Sequence, residues 1–496
     1  LSTLSTLSTL SSSCDVDPEL ARKGWLQDTL VRDNQIFLER DPELAGGKLA
    51  KMGAAPYDYF RGSASQFGRD FTQAGSPGYW PTRYLDDEGW DVALVGDPHP
   101  ENIGTFIATD GVVRVEFNDF DGATWGPWIS DLRRLALGFD VACRQLRQRQ
   151  ADDAVNVLVE DDCVAWPRAV VEGYLAELPL VAADPDDPQR LRLREGQSHG
   201  LVVDDLLEKA REDGDAGSRL EDYTVVENGE RRMVYGQIEP GSVARFGDRE
   251  IALYGDTLVE LGDDERQLVE ALLDTYPLSL SEAVPVAELE LIGVARRLGS
   301  GVSSYPVPRY YLLLAGPSDA PDDDFMLEAK QILDPLLLPG APRQPRPGWP
   351  DNVTRVIEMQ RLLQDDGADR WLGGAMLGDL ALKVRHRSGY TRGFSVDRAL
   401  EKLGEGDWVA ADLLLFAEQA GRLLAVAHGR APKGDGQRGG PAIARAIEAD
   451  PQGLVDETVD FIAVYGPRTA LDHGLLGELI EEHGPSLGYR RQGDGQ

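Results

Sequence analysis

The sequence predicts an α+β fold in two lobes, one rich in helices and one built on an antiparallel sheet. Three observations carry that prediction. At 496 residues the chain exceeds what a single core usually accommodates. Its hydrophobic pattern changes period, from helical spacing to short strand-like runs and back again. A Pro- and Gly-rich connector, residues 335–350, separates the most strand-like segment from a further helical pattern.

Residues 1–15 are a low-complexity repeat, expected to be disordered or to reflect where translation was taken to begin. They lack the basic start and continuous apolar core of a signal peptide. Residues 16–221 are expected to form the helical lobe with the catalytic loop. Asp17-Pro18-Glu19-Leu20 reads as an N-cap and first turn, opening a helical region that reaches residue 60. Val92-Ala93-Leu94-Val95 is a short apolar strand running into Gly96-Asp97. Asp110-Gly111 lies between Thr105–Ile107 and Val112–Phe117 and signals a hairpin. Helical spacing returns over 128–180, followed by an acidic, loop-rich stretch at 181–220. Residues 222–350 are expected to carry the sheet, with turns at Asn228-Gly229 and Gly247-Asp248, a helix over 263–275 and strands through Tyr310–Leu314 and up to Lys330. Residues 351–485 are expected to be helical and to complete both lobes, with 486–496 as a tail.

Fifty basic residues against 85 acidic ones leave a net charge of −35, and only eight of the basic residues are lysine. A field this negative repels phosphate backbones and no basic tract offsets it, so nucleic acid is not expected as a partner. The acidity fits a protein kept soluble in a high-salt cytoplasm, or equally a GC-rich genome that favours Arg. No apolar run approaches the roughly 18 residues of a membrane span. The three cysteines, Cys14, Cys143 and Cys163, are far apart and form no CxxC pair. That excludes a zinc ribbon and predicts no disulfide framework, as in a reducing cytoplasm.

The chemistry concentrates in Gly96-Asp97-Pro98-His99-Pro100-Glu101-Asn102 and, after the hairpin, Asn118-Asp119-Phe120-Asp121-Gly122. Phosphoryl transfer needs a carboxylate to accept the proton of the attacking hydroxyl and hard oxygen ligands for magnesium on the nucleotide phosphates. Asp97 suits the first task. Asn102, Asp119 and Asp121 suit the second. His99 is expected to be a hydrogen-bonded loop residue, and Arg61 and Arg361 structural ion-pair partners.

This block resembles the catalytic and metal-binding segments of aminoglycoside- and choline-kinase-type phosphotransferases, which run Gly-Asp-x-His-x-x-Asn, a hairpin and an Ile-Asp-Phe/Trp-Asp-like segment. Val95 departs from the pattern, since those enzymes usually carry His there. The resemblance implies a two-lobed, protein-kinase-like fold with Asp97 as base, Asn102 and Asp119 as metal ligands, Asp121 as second choice and Asp131 as a structural N-cap. The whole chain is also similar to the bacterial and archaeal family called domain of unknown function 2252. That similarity runs through Phe60-Arg61-Gly62, the Gly96–Asp131 block, Leu298-Gly299-Ser300-Gly301, Arg355–Arg361 and Ala425–Arg430. It brings no substrate with it. Arg385, His428 and Arg430 match family positions without an assigned chemistry.

An ordinary kinase places its Gly-rich loop and strand lysine before the catalytic loop. Here Gly299-Ser300-Gly301, the strand Tyr310–Leu314 and Lys330 come after it, which predicts a permuted lobe order. Gly299, Ser300, Gly301 and Lys330 would bind ATP or another NTP, and Glu358 on the next helix would pair with Lys330. The partners expected are therefore a nucleotide and a small-molecule or peptide acceptor. Transfer of a nucleotidyl group would need a similar set. Two other readings compete: a catalytically silent, kinase-like nucleotide-binding module, and a metal-dependent phosphoesterase. The second needs several histidines in separate motifs, yet none of the six lies upstream of His99.

Overall fold

The computed structural model describes residues 17–85, 92–152, 158–215, 217–282, 284, 289–334, 349–364, 369–433 and 436–488. The expected leader, nearly all of the 335–350 connector and residues 489–496 of the tail lie outside them. The described residues are 52% helical and 18% strand, an α+β composition.

It opens with α1 (Pro18–Arg40), α2 (Pro42–Met52), α3 (Pro56–Gly62) and α4 (Ala64–Thr72). Asp17 caps α1 by accepting from Glu19 N at 3.0 Å, and Asp41 caps α2 through Leu44 N at 3.1 Å. A Pro follows at the first position of each, where its missing N–H has no helical partner to lose. Next come β1 (Val92–Leu94), β2 (Ile103–Ile107), β3 (Val113–Phe117) and β4 (Thr124–Gly126). β2 and β3 pair from Ile103↔Phe117 to Ile107↔Val113 around Gly111, whose φ is +79°. β1 pairs with β4 antiparallel, which folds the two halves of the motif block onto each other.

Helices α5 (Trp128–Asp152), α6 (Glu160–Ala183), α7 (Leu201–Asp215) and α8 (Ser218–Glu221) follow. α7 falls in the stretch expected to be loop. Its acidic residues mask an apolar face, on which Val203, Leu206, Leu207 and Ala210 are buried. The strand-rich segment holds β5 (Thr224–Glu227), β6 (Glu230–Met233), β7 (Gly236–Gln237), β8 (Ser242–Phe246), β9 (Arg249–Leu253) and β10 (Thr257–Val259). After α9 (Asp263–Glu270) and α10 (Leu272–Thr275) come β11 (Leu291–Leu298), β12 (Arg309–Leu314) and β13 (Phe325–Gln331). Last come α11 (Asn352–Leu363), β14 (Gly373–Leu377), β15 (Leu380–His386), α12 (Val396–Glu405), α13 (Ala410–Arg430), α14 (Gly439–Ile447) and α15 (Pro451–His483), followed by a 3-10 turn at Gly484–Leu487.

One sheet dominates, with strand order β14-β15-β13-β12-β11-β10-β7 and antiparallel neighbours throughout. Two of its strands, β14 and β15, come from the segment expected to be helical. Leu382–Arg385 alternates apolar and cationic residues, and Gly378, at φ +60°, makes the tight turn between the strands. The β8–β9 hairpin leaves this sheet instead: Ile251 packs with Leu26, Leu49, Leu476 and Ile480 of the helical body. The main core lies in that body, where Trp128, Leu132, Trp166, Tyr174, Phe416 and Leu424 are buried together.

The cysteine expectation is corrected. Cys143 and Cys163 are buried and joined as a disulfide, with Cα atoms 5.3 Å apart. α5 and α6 are consecutive and pack side by side, which brings together two cysteines whose spacing matches no motif. Among the described residues no helix is long and apolar enough to cross a membrane.

Candidate functional site

The Gly96–Asp131 block is held by its backbone. Gly96 has φ +96°, and a Cβ there would overlap the Gly122 carbonyl, so the two glycines let the two loops touch. Asp131 accepts from Val95 N at 2.7 Å and Gly96 N at 3.3 Å. It is not the expected N-cap. α5 starts at Trp128, and Asp131 uses its first-turn position to brace the loop instead. Behind it, His428 Nε2 lies 3.3 Å from Asp131 Oδ2, and His428 Nδ1 lies 3.0 Å from the Tyr174 hydroxyl. All three side chains are buried.

Asp97 receives Arg134 Nε at 2.8 Å on Oδ1. Arg134 also donates to Phe60 O at 2.6 Å and lies over the Phe60 ring at 3.6 Å. Burial raises the Asp97 carboxyl above the usual carboxylate range; Arg134 opposes this, while Asp119 and Asp131 add to it. Asn102 Nδ2 donates to Asp97 O at 2.8 Å, leaving Oδ1 as its free type of acceptor. His99 is buried with Tyr57 and Phe60 edge-on, and its Nδ1 has no hydrogen-bond partner among the described residues. Burial, helped by Arg61 and Arg134, pushes its pKa well below the ordinary value. It is thus a neutral packed ring, not a hydrogen-bonded loop residue. Arg61 pairs with Glu101 at 2.8 Å, the structural role expected. Arg361 has a structural role too, but through the carbonyls of Ser279 and Leu372 at 3.0 and 3.1 Å.

The sheet supplies the opposite charge. Arg309, Lys330 and Lys383 are register partners across β12, β13 and β15. Lys330 Nζ pairs with Asp121 Oδ2 and lies 3.7 Å from Asp119 Oδ2, while Lys383 Nζ lies 2.9 Å from Asp121 Oδ1. Burial alone would raise the Asp121 carboxyl, but the two ammoniums outweigh it and hold it far below the usual range. For Lys330 the signs reverse: burial would lower its pKa, and Asp119 and Asp121 raise it. One step along the same face, Glu328 is buried between Arg309 at 3.0 Å and Arg385 at 2.9 Å.

Glu358 does not pair with Lys330. α11 buries Val353, Val356 and Ile357, which leaves Glu358 on its exposed side, accepting from Trp349 Nε1 at 2.7 Å. Asp121 takes the place expected of it. The glycine turn is split: Gly301 reaches the cleft that holds the carboxylates, whereas Gly299 and Ser300 line a neighbouring cavity. Lys383, Arg134 and Arg309 were not singled out in the sequence. For Lys383 a signal existed, since lysine is as scarce there as at Lys330.

Asp97, Asn102, Asp119, Asp121, Gly301 and Lys330 thus line one cleft of about 400 Å³ between the helical body and the sheet. Among the described residues no three His, Cys, Asp or Glu side chains form a ready-made metal cage. Neither the curated proteins nor the solved structures contain a match to the chain. A family model does match, over residues 40–478, and by it the chain belongs to DUF2252, described as an uncharacterized protein conserved in bacteria.

Proposed function

We propose that this cleft carries out magnesium-dependent phosphoryl transfer from a nucleoside triphosphate to a hydroxyl of a small-molecule or peptide acceptor. The observation that carries the reading is the meeting of Asp97, Asn102 and Asp119 on one side with Lys330 and Lys383 on the other, from segments far apart in the chain. The acceptor oxygen would attack the γ-phosphorus. The bond from that phosphorus to the bridging oxygen breaks, and its electron pair leaves with the nucleoside diphosphate. The acceptor's proton passes to Asp97. Arg134 occupies Asp97 Oδ1, which leaves Oδ2 for that proton. Lys330 offsets phosphate charge, and Asp121, itself paired with Lys383, holds it in place.

The donor set fits magnesium, which takes one or two carboxylates together with phosphate and water oxygens and needs no closed protein cage. Asp119, whose side chain is 42% exposed, and Asn102 Oδ1 would hold it. The ion would supply neutralisation of the nucleotide phosphates. Asp121 is already engaged by both lysines, so it serves the site by positioning them.

The test is phosphorus NMR of ATP and of GTP with magnesium and a panel of alcohols, hydroxylated amines and Ser/Thr peptides. Loss of the γ-phosphate signal is expected, slowed about 10²–10⁴-fold by Asp97→Asn. No turnover of either nucleotide, or equal turnover by Asp97→Asn, contradicts the reading.

A further inference from the structure

The Gly299-Ser300-Gly301 turn walls a second cavity, of about 450 Å³, which none of Asp97, Asn102, Asp119, Asp121 or Lys330 lines. In a chain of net charge −35 this cavity is cationic: Lys51, Arg219, Arg297 and Arg387 face it, against Glu239 and Asp256. The acids do not balance the cations. Asp256 is taken up by Arg297, at 2.9 and 2.8 Å, and by the Tyr223 hydroxyl at 2.5 Å. Glu239 is exposed.

Two of the remaining cations hold an N–H without a partner. Nε of Arg387 and Nε of Arg219 are buried with no hydrogen-bond partner among the described residues. No carboxylate among the described residues pairs with Arg387, whose guanidinium lies over the Tyr311 ring at 5.9 Å. Arg219 has Asp222 at 3.3 Å, yet burial and the neighbouring Arg387 and Arg392 guanidiniums lower its pKa. Lys51 donates to Gly299 O at 2.7 Å and Gly301 O at 3.1 Å, which sets the turn that forms the wall. Its pKa is brought down to about 8 by burial and by Arg61. Guanidinium forks gathered around an open cavity, repelling one another and holding unused N–H groups, match the geometry of phosphate oxygens.

We propose that this cavity is a separate binding site for a phosphate-bearing anion, with Arg387 and Arg219 as its main donors. It does not rest on the phosphoryl-transfer reading, because none of its four cationic side chains lines the cleft. The same loop borders both, so an anion here would contact the turn that reaches the carboxylate cleft.

The probes are tripolyphosphate and inorganic phosphate, titrated by calorimetry into the full chain without magnesium or nucleotide. Wild type is expected to bind tripolyphosphate. Arg387→Gln and Arg219→Gln should each weaken it at least tenfold, while Lys330→Gln in the other cleft keeps this binding within twofold. Tighter binding of tripolyphosphate than of phosphate assigns a polyphosphate chain; equal binding assigns a single phosphate group. No binding by wild type overturns the proposal. So does wild-type affinity in both arginine variants, or binding lost with Lys330→Gln instead. Thermal melts accompany each variant, and if Arg387→Gln fails to fold, Arg219→Gln alone decides.

Discussion

On the helical side of the cleft the proposed functional groups are carboxylates and an amide, all from the stretch between Gly96 and Gly122, on loops and the single 3-10 turn Pro100–Asn102. Backbone hydrogen bonds to Asp131 and the contact of Gly96 with Gly122 hold them. On the sheet side the groups are cations on three strands, and strand register alone aligns Arg309, Lys330 and Lys383. The opposite face of that sheet is apolar, with Leu312, Leu314, Leu327, Ala329, Leu382 and Val384 buried. The contrast teaches that the acids are placed by local turn chemistry and the cations by long-range pairing. The two sets should therefore fail differently when disturbed.

The largest effect is expected at Glu328. Replacing it with Ala removes a buried carboxylate held by Arg309 and Arg385 and leaves two cations uncompensated. A loss of about 3–5 kcal/mol in denaturant unfolding is expected; a loss below about 1 kcal/mol would mean that sheet-side charge is not structural. Lys383→Met should cost less, about 1–3 kcal/mol, because Asp121 keeps Lys330. A double-mutant cycle with Asp121→Asn should show coupling, whereas simple additivity would break the link drawn across the cleft.

Acidification should separate the two sides by pH. The buried His99 has a folded pKa below its ordinary 6.5, so its stabilising neutral form is fully present above about 6.5 and is lost as pH falls below it. His386 and His473 are lowered in the same direction. Glu328 and Asp121 are held below 4.5 and 3.8, so their contribution persists through that first window and is lost only at lower pH. Urea midpoints measured from pH 8 to pH 3 should fall in two stages, and His99→Phe should shrink only the first. A single stage near pH 4 would remove His99 from the account. The smallest effect is expected for Glu358→Ala, within about 0.5 kcal/mol and with nucleotide affinity unchanged. A larger loss would revive its pairing with Lys330.

The same contrast explains what the sequence revealed. Asp97, Asn102 and Asp119 were legible because a short strand, a hairpin signal and glycines lie within a few residues of them. Lys330 could be singled out by the scarcity of lysine, but its partner could not. Choosing between Asp121 and Glu358 depends on which face α11 buries. β15 was hidden inside a segment whose flanks read as helix, and Lys383 with it. The Cys143–Cys163 bond depended on helix packing that no spacing rule encodes. His428 and Asp131 lie far apart in the chain and meet only where α13 packs near β1 and α5.

The central claim is that groups from both sides act on one nucleotide. It is tested most directly by ATP affinity, measured calorimetrically with and without magnesium, for wild type, Asp119→Ala and Lys330→Met. The account predicts that wild type binds ATP more tightly with magnesium. Asp119→Ala should lose that dependence, while Lys330→Met should bind more weakly but keep it. Wild type that binds neither form, or an Asp119→Ala variant that retains full magnesium dependence, would contradict it.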